Sequence, residues 1–137
     1  MSGEAVVRVR GLRTQFGPHV VHDGLDLDLR QGEILGVVGG SGTGKSVLLR
    51  AIVGLEESQG GTIEVLGRRI GTLTGPEERA MRQSWGVMFQ DGALFSALTV
   101  RENVEVPLKA VPGLSAEQRR ALAELKVSMA GLPWSAN

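Results

Sequence analysis

An α/β fold is predicted by three observations in the 137-residue sequence. A short apolar stretch, Glu33-Ile34-Leu35-Gly36-Val37-Val38, reads as a buried strand. It runs into Gly39-Gly40-Ser41-Gly42-Thr43-Gly44-Lys45-Ser46, a G-x-x-x-x-G-K-S match. A helical pattern, Val47-Leu48-Leu49-Arg50-Ala51-Ile52-Val53, follows and stops at Gly54. Strand, glycine-rich loop and helix in this order are the setting of a phosphate-binding loop. The glycines let successive backbone N–H groups turn inward with no Cβ in the way. The helix N-terminus adds partial positive charge where phosphates would sit. Lys45 supplies a mobile cation for the outer phosphates, and the Ser46 hydroxyl suits Mg²⁺. The plain alternative is a glycine-rich turn with a solvated lysine, and the two flanking elements argue against it.

Composition sets the outer bounds. One domain with a real core is expected at this length, and 42% hydrophobic and 22% charged residues are ordinary for a globular protein. Fifteen basic and fifteen acidic residues cancel, so nothing points to nucleic acid. The chain has no cysteine, hence no disulfide framework and no thiolate metal site. No run of eighteen apolar residues occurs, so no direct membrane span is expected. Met1-Ser2-Gly3-Glu4 lacks a signal-peptide pattern, and a soluble intracellular protein is the expectation.

The remaining elements follow from local pattern. Ala5-Val6-Val7-Arg8-Val9-Arg10-Gly11-Leu12 alternates valine with arginine and reads as a half-exposed strand. Phe16-Gly17-Pro18 is a turn. In Leu25-Asp26-Leu27-Asp28-Leu29 the leucines share one face and the aspartates the other, which favours a wet strand face over a metal site. Thr62-Ile63-Glu64-Val65-Leu66-Gly67 is a strand ending at a turn, with Arg68-Arg69-Ile70 beyond. Gly75-Pro76-Glu77-Glu78 opens a short helix, with proline early and acids in the first turn. Trp85-Gly86-Val87-Met88-Phe89 is a second apolar strand. Thr99 caps a helix, with Glu102 at capping-box spacing, and Ser115 caps the last one. In that last helix Leu122, Leu125, Met129 and Leu132 form one apolar stripe read as a core face, and Gly131 with Pro133 stops it.

Two registers of a dinucleotide-binding G-x-G-x-x-G fail at their third glycine, at Val47 and Lys45. A generic phosphate-loop enzyme needs a metal-binding aspartate at the end of a second apolar strand, and Asp91 after residues 87–89 is the one available. The competing reading makes Gln90 the functional residue and Asp91 a loop residue. Surroundings favour the second. Phe16-Gly17, the loop 39–46, Gly61-Thr62-Ile63, Phe89-Gln90 and Leu98-Thr99-Val100-Arg101-Glu102-Asn103-Val104 occur together in this order. That set resembles the nucleotide-binding subunit of ABC transporters, from about Val6 to Leu132. Gln90-Asp91-Gly92-Ala93-Leu94-Phe95 and Val47-Leu48-Leu49-Arg50 resemble the subfamily that energises MCE-type lipid transport, including the Mla phospholipid and toluene-tolerance systems.

The resemblance implies a P-loop NTPase core with an antiparallel β subdomain and the start of a helical subdomain at about 99–132. It implies ATP and Mg²⁺ as cofactors. Phe16 would stack on adenine, with a core phenylalanine as the alternative. Gly39, Gly40, Ser41, Gly42, Thr43, Gly44 and Lys45 would wrap the phosphates, and Ser46 would ligate Mg²⁺. Gln90 would reach Mg²⁺ or the attacking water, with an exposed loop amide as the alternative. The loop from Gly92 to Leu98 would lie under an ABC permease subunit. Its Ala93, Leu94 and Phe95 are either covered by that partner or folded onto the domain's own core. Val47 stands where many members carry a hydroxyl that donates to the α-phosphate, a loss of about 1.5–3 kcal/mol at most.

The resemblance also implies motifs beyond the last helix: a serine-glycine-glycine signature, a strand with the Mg²⁺ aspartate and catalytic glutamate, and a switch histidine. None occurs in these 137 residues, and His19 and His22 read as surface histidines. The expectation is the N-terminal part of an ATPase on the cytoplasmic face of the inner membrane, truncated, binding nucleotide and hydrolysing little alone. In the family a second ATP-binding subunit completes each site. A non-catalytic permease-docking module and another P-loop NTPase using Asp91 stand as alternatives. Marginal stability is expected, because strand 33–38 lacks the neighbours that would cover it.

Overall fold

The computed structural model describes residues 3–132. The chain divides between Gly86 and Val87 into two compact units. In the first, β1 (Ala5–Phe16), β2 (His19–Arg30), β3 (Gly60–Val65) and β4 (Arg68–Arg69) form an antiparallel sheet in the order β2-β1-β3-β4. Helices α1 (Lys45–Ile52) and α2 (Pro76–Arg82) belong to the same unit. In the second, α3 (Val100–Leu108) packs on α4 (Ala116–Met129).

The hairpin of β1 and β2 is longer than the alternation predicts, because a bulge re-phases it. Val7 and Val9 are buried, then Leu12 and Thr14. The register breaks between Val9 and Leu12 against β2, and between Arg10 and Arg13 against β3. Gly11 is the extra residue; its φ of 56° is costly for any side chain, and its N–H donates to Asp26 Oδ1 at 2.6 Å. Asp28 pairs with Arg10 at 2.8 Å. The guanidinium's hydrogen bond holds the Asp28 carboxyl below its ordinary value. Both aspartates therefore lie on the wet face, and no group of three or more metal-binding side chains exists among the described residues.

The inner face of the sheet, Val7, Val9, Leu12, Ile63 and Val65, packs on Leu48 and Ala51 of α1 and Met81 of α2. Helix α1 ends as Gly54 predicts. The Gly54 N–H donates to the Ala51 carbonyl at 3.1 Å and the Leu55 N–H to the Arg50 carbonyl at 2.8 Å, a Schellman closure.

Three expectations are corrected. Residues 33–38 form no strand, and Ile34 and Val38 are 99% and 92% exposed. A strand exists only through neighbours that take up its N–H and C=O groups, and among the described residues none runs beside this stretch. Residues 85–89 fail for the same reason, with Met88 96% exposed. In α4 the buried residues are Ala123 and Val127, while Leu125, Met129 and Leu132 are exposed. The α4 face that packs on α3 carries Ala123 and Val127, which leaves the bulkier stripe outward. The cap readings hold: Thr99 with Glu102, and Ser115 with Gln118, each form both halves of a capping box. Pro133 lies outside the described residues.

Candidate functional site

The loop 39–46 opens onto the N-terminus of α1. Gly44 is the N-cap, and no side chain caps this helix, whereas α3 and α4 are closed by their own hydroxyls. The first-turn amides of α1 are thus left for water or an anion. The loop is held by its own polar groups. Thr43 Oγ1 donates to the Gly40 carbonyl at 2.8 Å. Lys45 Nζ donates to the Gly39 and Gly40 carbonyls at 2.8 and 2.6 Å. A Cβ at Gly39 would come within 2.8 Å of Thr43 Oγ1, so the loop's curl leaves no room for one there. Ser46 is exposed on the first turn and Val47 is half-buried. Open amide donors, one ammonium and a free hydroxyl are the donor set that a polyphosphate with a divalent cation requires. The fit is good.

Phe16 ends β1 at the hairpin tip and is 45% exposed, so it is not a core phenylalanine. Gln90 and Asp91 lie in the second unit, both exposed in a turn whose Gly92 N–H donates to the Phe89 carbonyl at 3.2 Å. Because residues 87–89 form no strand, Asp91 does not stand at a strand end. In the loop 92–98, Leu94 and Phe95 are 71% and 58% exposed, uncovered by the rest of their own unit. Asn103 shapes that loop. Its amide nitrogen donates to the carbonyls of Phe95, Leu98 and Thr99 at 3.1, 3.2 and 3.0 Å, and its oxygen accepts from the Phe95 N–H at 2.8 Å.

His22 is the residue that sequence reasoning misplaced. His19 is exposed, but His22 is buried, with Nδ1 2.7 Å from Thr14 Oγ1, and burial lowers its pKa. The overlooked signal is Gly24, whose φ of 77° interrupts β2 and puts His22 and Leu25 on the inner side in opposite parity.

An antiparallel sheet, a glycine-rich loop and an uncapped helix mouth define a phosphate-loop nucleotide-binding domain. The chain belongs to the ABC transporter family, whose model matches residues 22–133. It is 40% identical over 131 residues to the methionine import ATP-binding protein MetN of Rhizobium johnstonii, covering 96% of this chain and 36% of that protein. It is 37% identical over 130 residues to the sn-glycerol-3-phosphate import ATP-binding protein UgpC 1 of the same organism, covering 95% and 34%. The chain thus spans about a third of the length of these relatives. Its fold matches the dimeric ATP-binding cassette MJ0796 in a post-hydrolysis state bound to ADP and Pi, with a TM-score of 0.80 and 28% identity over 93% of this chain and 58% of that one. CbiO1 of Clostridium perfringens matches with a TM-score of 0.72 and 25% identity, covering 94% and 51%. These relatives lend no support to the Mla-type lipid subfamily, which keeps only the residues that suggested it.

Proposed function

We propose that this chain is the nucleotide-binding part of an ABC transporter's ATP-binding subunit, taking Mg-ATP at the loop 39–46. The observation that carries the reading is the uncapped mouth of α1 beside an ammonium that has only carbonyls to hold. Bound nucleotide would supply the phosphate charge that Lys45 turns toward. Gly39, Gly40, Ser41, Gly42, Thr43 and Gly44 present main-chain amides to it, Ser46 holds Mg²⁺, and Val47 contributes its amide but no hydroxyl. Phe16 offers an aromatic face to the base. Gln90 senses the metal or the water from its turn.

The loop 92–98 docks on a permease through Leu94 and Phe95, exposed side chains on a backbone fixed by Asn103. The same reading gives a second ATP-binding subunit as partner and the cytoplasmic face of the inner membrane as location. Among the described residues no helix is long and apolar enough to cross a membrane. Cargo is chosen by the permease rather than by this domain, which is why two relatives named for different solutes are almost equally similar to it. The relatives' names favour a small polar solute such as methionine over a phospholipid.

Calorimetry with Mg-ATP tests the reading. Saturable heat that disappears in Lys45→Ala is expected, and no heat from the wild-type chain refutes it. Co-purification with a permease, lost in Phe95→Asp and kept in Lys45→Ala, tests the docking loop.

A further inference from the structure

We propose that His22 is a positioning residue for the phosphate loop, a flat shim whose orientation is set by Thr14 and on which the Gly44 turn rests. The inference rests on the nucleotide-site reading above. His22 on β2 is paired in register with Thr14 on β1. They are 8% and 1% exposed, the two buried polar side chains found among the described residues. The bond between Thr14 Oγ1 and His22 Nδ1, 2.7 Å, fixes the plane of the ring. The ring's opposite edge then faces the loop. A Cβ placed on Gly44 would lie 2.8 Å from His22 Nε2 and 3.0 Å from Cε1, and 2.5 Å from Val21 Cγ1.

The imidazole therefore closes off the side of Gly44, the residue where loop becomes helix. Gly44 is itself buried and holds a φ of 94°. The amides that open toward the phosphates leave from this point, so a tilt of the ring moves the donors. Nε2 has no hydrogen-bond partner among the described residues, so its action on the loop is by shape. An aliphatic residue at position 22 would fill similar space but leave the Thr14 hydroxyl buried without a partner, and would lose the fixed plane.

The test uses Mg-ATP calorimetry on the full chain as wild type, Thr14→Val, Thr14→Ser and Lys45→Ala. Nitrogen NMR of the histidine ring in the wild type accompanies it. Thr14→Val keeps the volume and removes the hydroxyl. It is expected to weaken Mg-ATP binding by roughly five- to tenfold, the scale of one lost hydrogen bond, and Thr14→Ser to restore it. The His22 ring nitrogens should shift on saturation with Mg-ATP. Wild-type affinity in Thr14→Val, or ring signals unmoved at saturation, overturns the inference. The NMR readout needs no variant and so survives a substitution that fails to fold. If the wild type and Lys45→Ala both show no Mg-ATP binding, the nucleotide-site reading falls and takes this one with it. Binding that is lost in Lys45→Ala but intact in Thr14→Val overturns the role of His22 alone.

Discussion

Gly44→Ala adds one methyl group at the most crowded point of the loop. Two costs can be worked out. An alanine held at a φ of 94° pays the left-handed penalty of about 1–2 kcal/mol. The new Cβ would also sit 2.5 Å from Val21 Cγ1 and 2.8 Å from His22 Nε2, so strand or loop must give way. Relief of overpacking in a filled interior costs about 1–3 kcal/mol. Together they make roughly 2–5 kcal/mol, against a total of roughly 7–20 kcal/mol for a chain of 137 residues. Urea unfolding followed by circular dichroism reads the loss. A cycle with Val21→Ala separates the parts, because the smaller side chain relieves the closer of the two clashes and leaves the backbone cost. The two substitutions should couple favourably by about 1–2 kcal/mol. A Gly44→Ala protein within about 0.5 kcal/mol of wild type, or strictly additive substitutions, would refute the claim that β2 supports the loop by contact.

Other outcomes follow from the same geometry. Phe16→Ala should weaken Mg-ATP binding several-fold in calorimetry while costing under about 1 kcal/mol of stability, since the ring is 45% exposed; unchanged affinity would remove Phe16 from the site. Burial lowers the pKa of His22 from 6.5, so below that pH the unfolded chain takes up the proton first and stability falls. That acid limb should vanish in His22→Gln when urea midpoints at pH 7.5 and 5.5 are compared. The Thr99 backbone N–H, then its hydroxyl, hold the Glu102 carboxyl below its ordinary 4.5. Its contribution is therefore present above that pH and lost as pH falls through the lower folded value, and Glu102→Gln, which has no carboxyl to titrate, should remove this dependence in urea midpoints compared at pH 6 and 3.5. Asn103→Ala should speed amide exchange at Phe95, whose N–H the Asn103 oxygen accepts at 2.8 Å, by at least fivefold in hydrogen-exchange NMR.

The sequence made local chemistry legible and withheld what depends on neighbours. Both capping boxes, the glycine stop after α1, the proline start of α2 and the wet aspartates are decided within a few residues, and each is found where its pattern lies. The stretch 33–38 has the right composition for a strand, but pairing is a property of two chains of hydrogen-bonding groups and cannot be read from one. In α4 the periodicity offers more than one apolar face, and only packing on α3 selects Ala123 and Val127 over Leu125 and Met129. The loop 39–46 was recognisable because a curl of amides is written in glycines. Its support was not, because the parity of β2 changes at Gly24 and carries a histidine inward that simple alternation would leave outside.

The extra residue at Gly11 has a consequence for how this hairpin tolerates change in length. Losing Gly11 alone would remove the surplus residue and leave Val9, Arg10, Leu12, Arg13 and Thr14 in plain alternation, so Leu12 and Thr14 would still face the interior. Losing one residue elsewhere in β1, such as Arg8 or Arg13, would set two inward side chains next to each other and drive one of them into water. Viable length variants of this strand should therefore shed single residues only at the bulge and residues in pairs everywhere else.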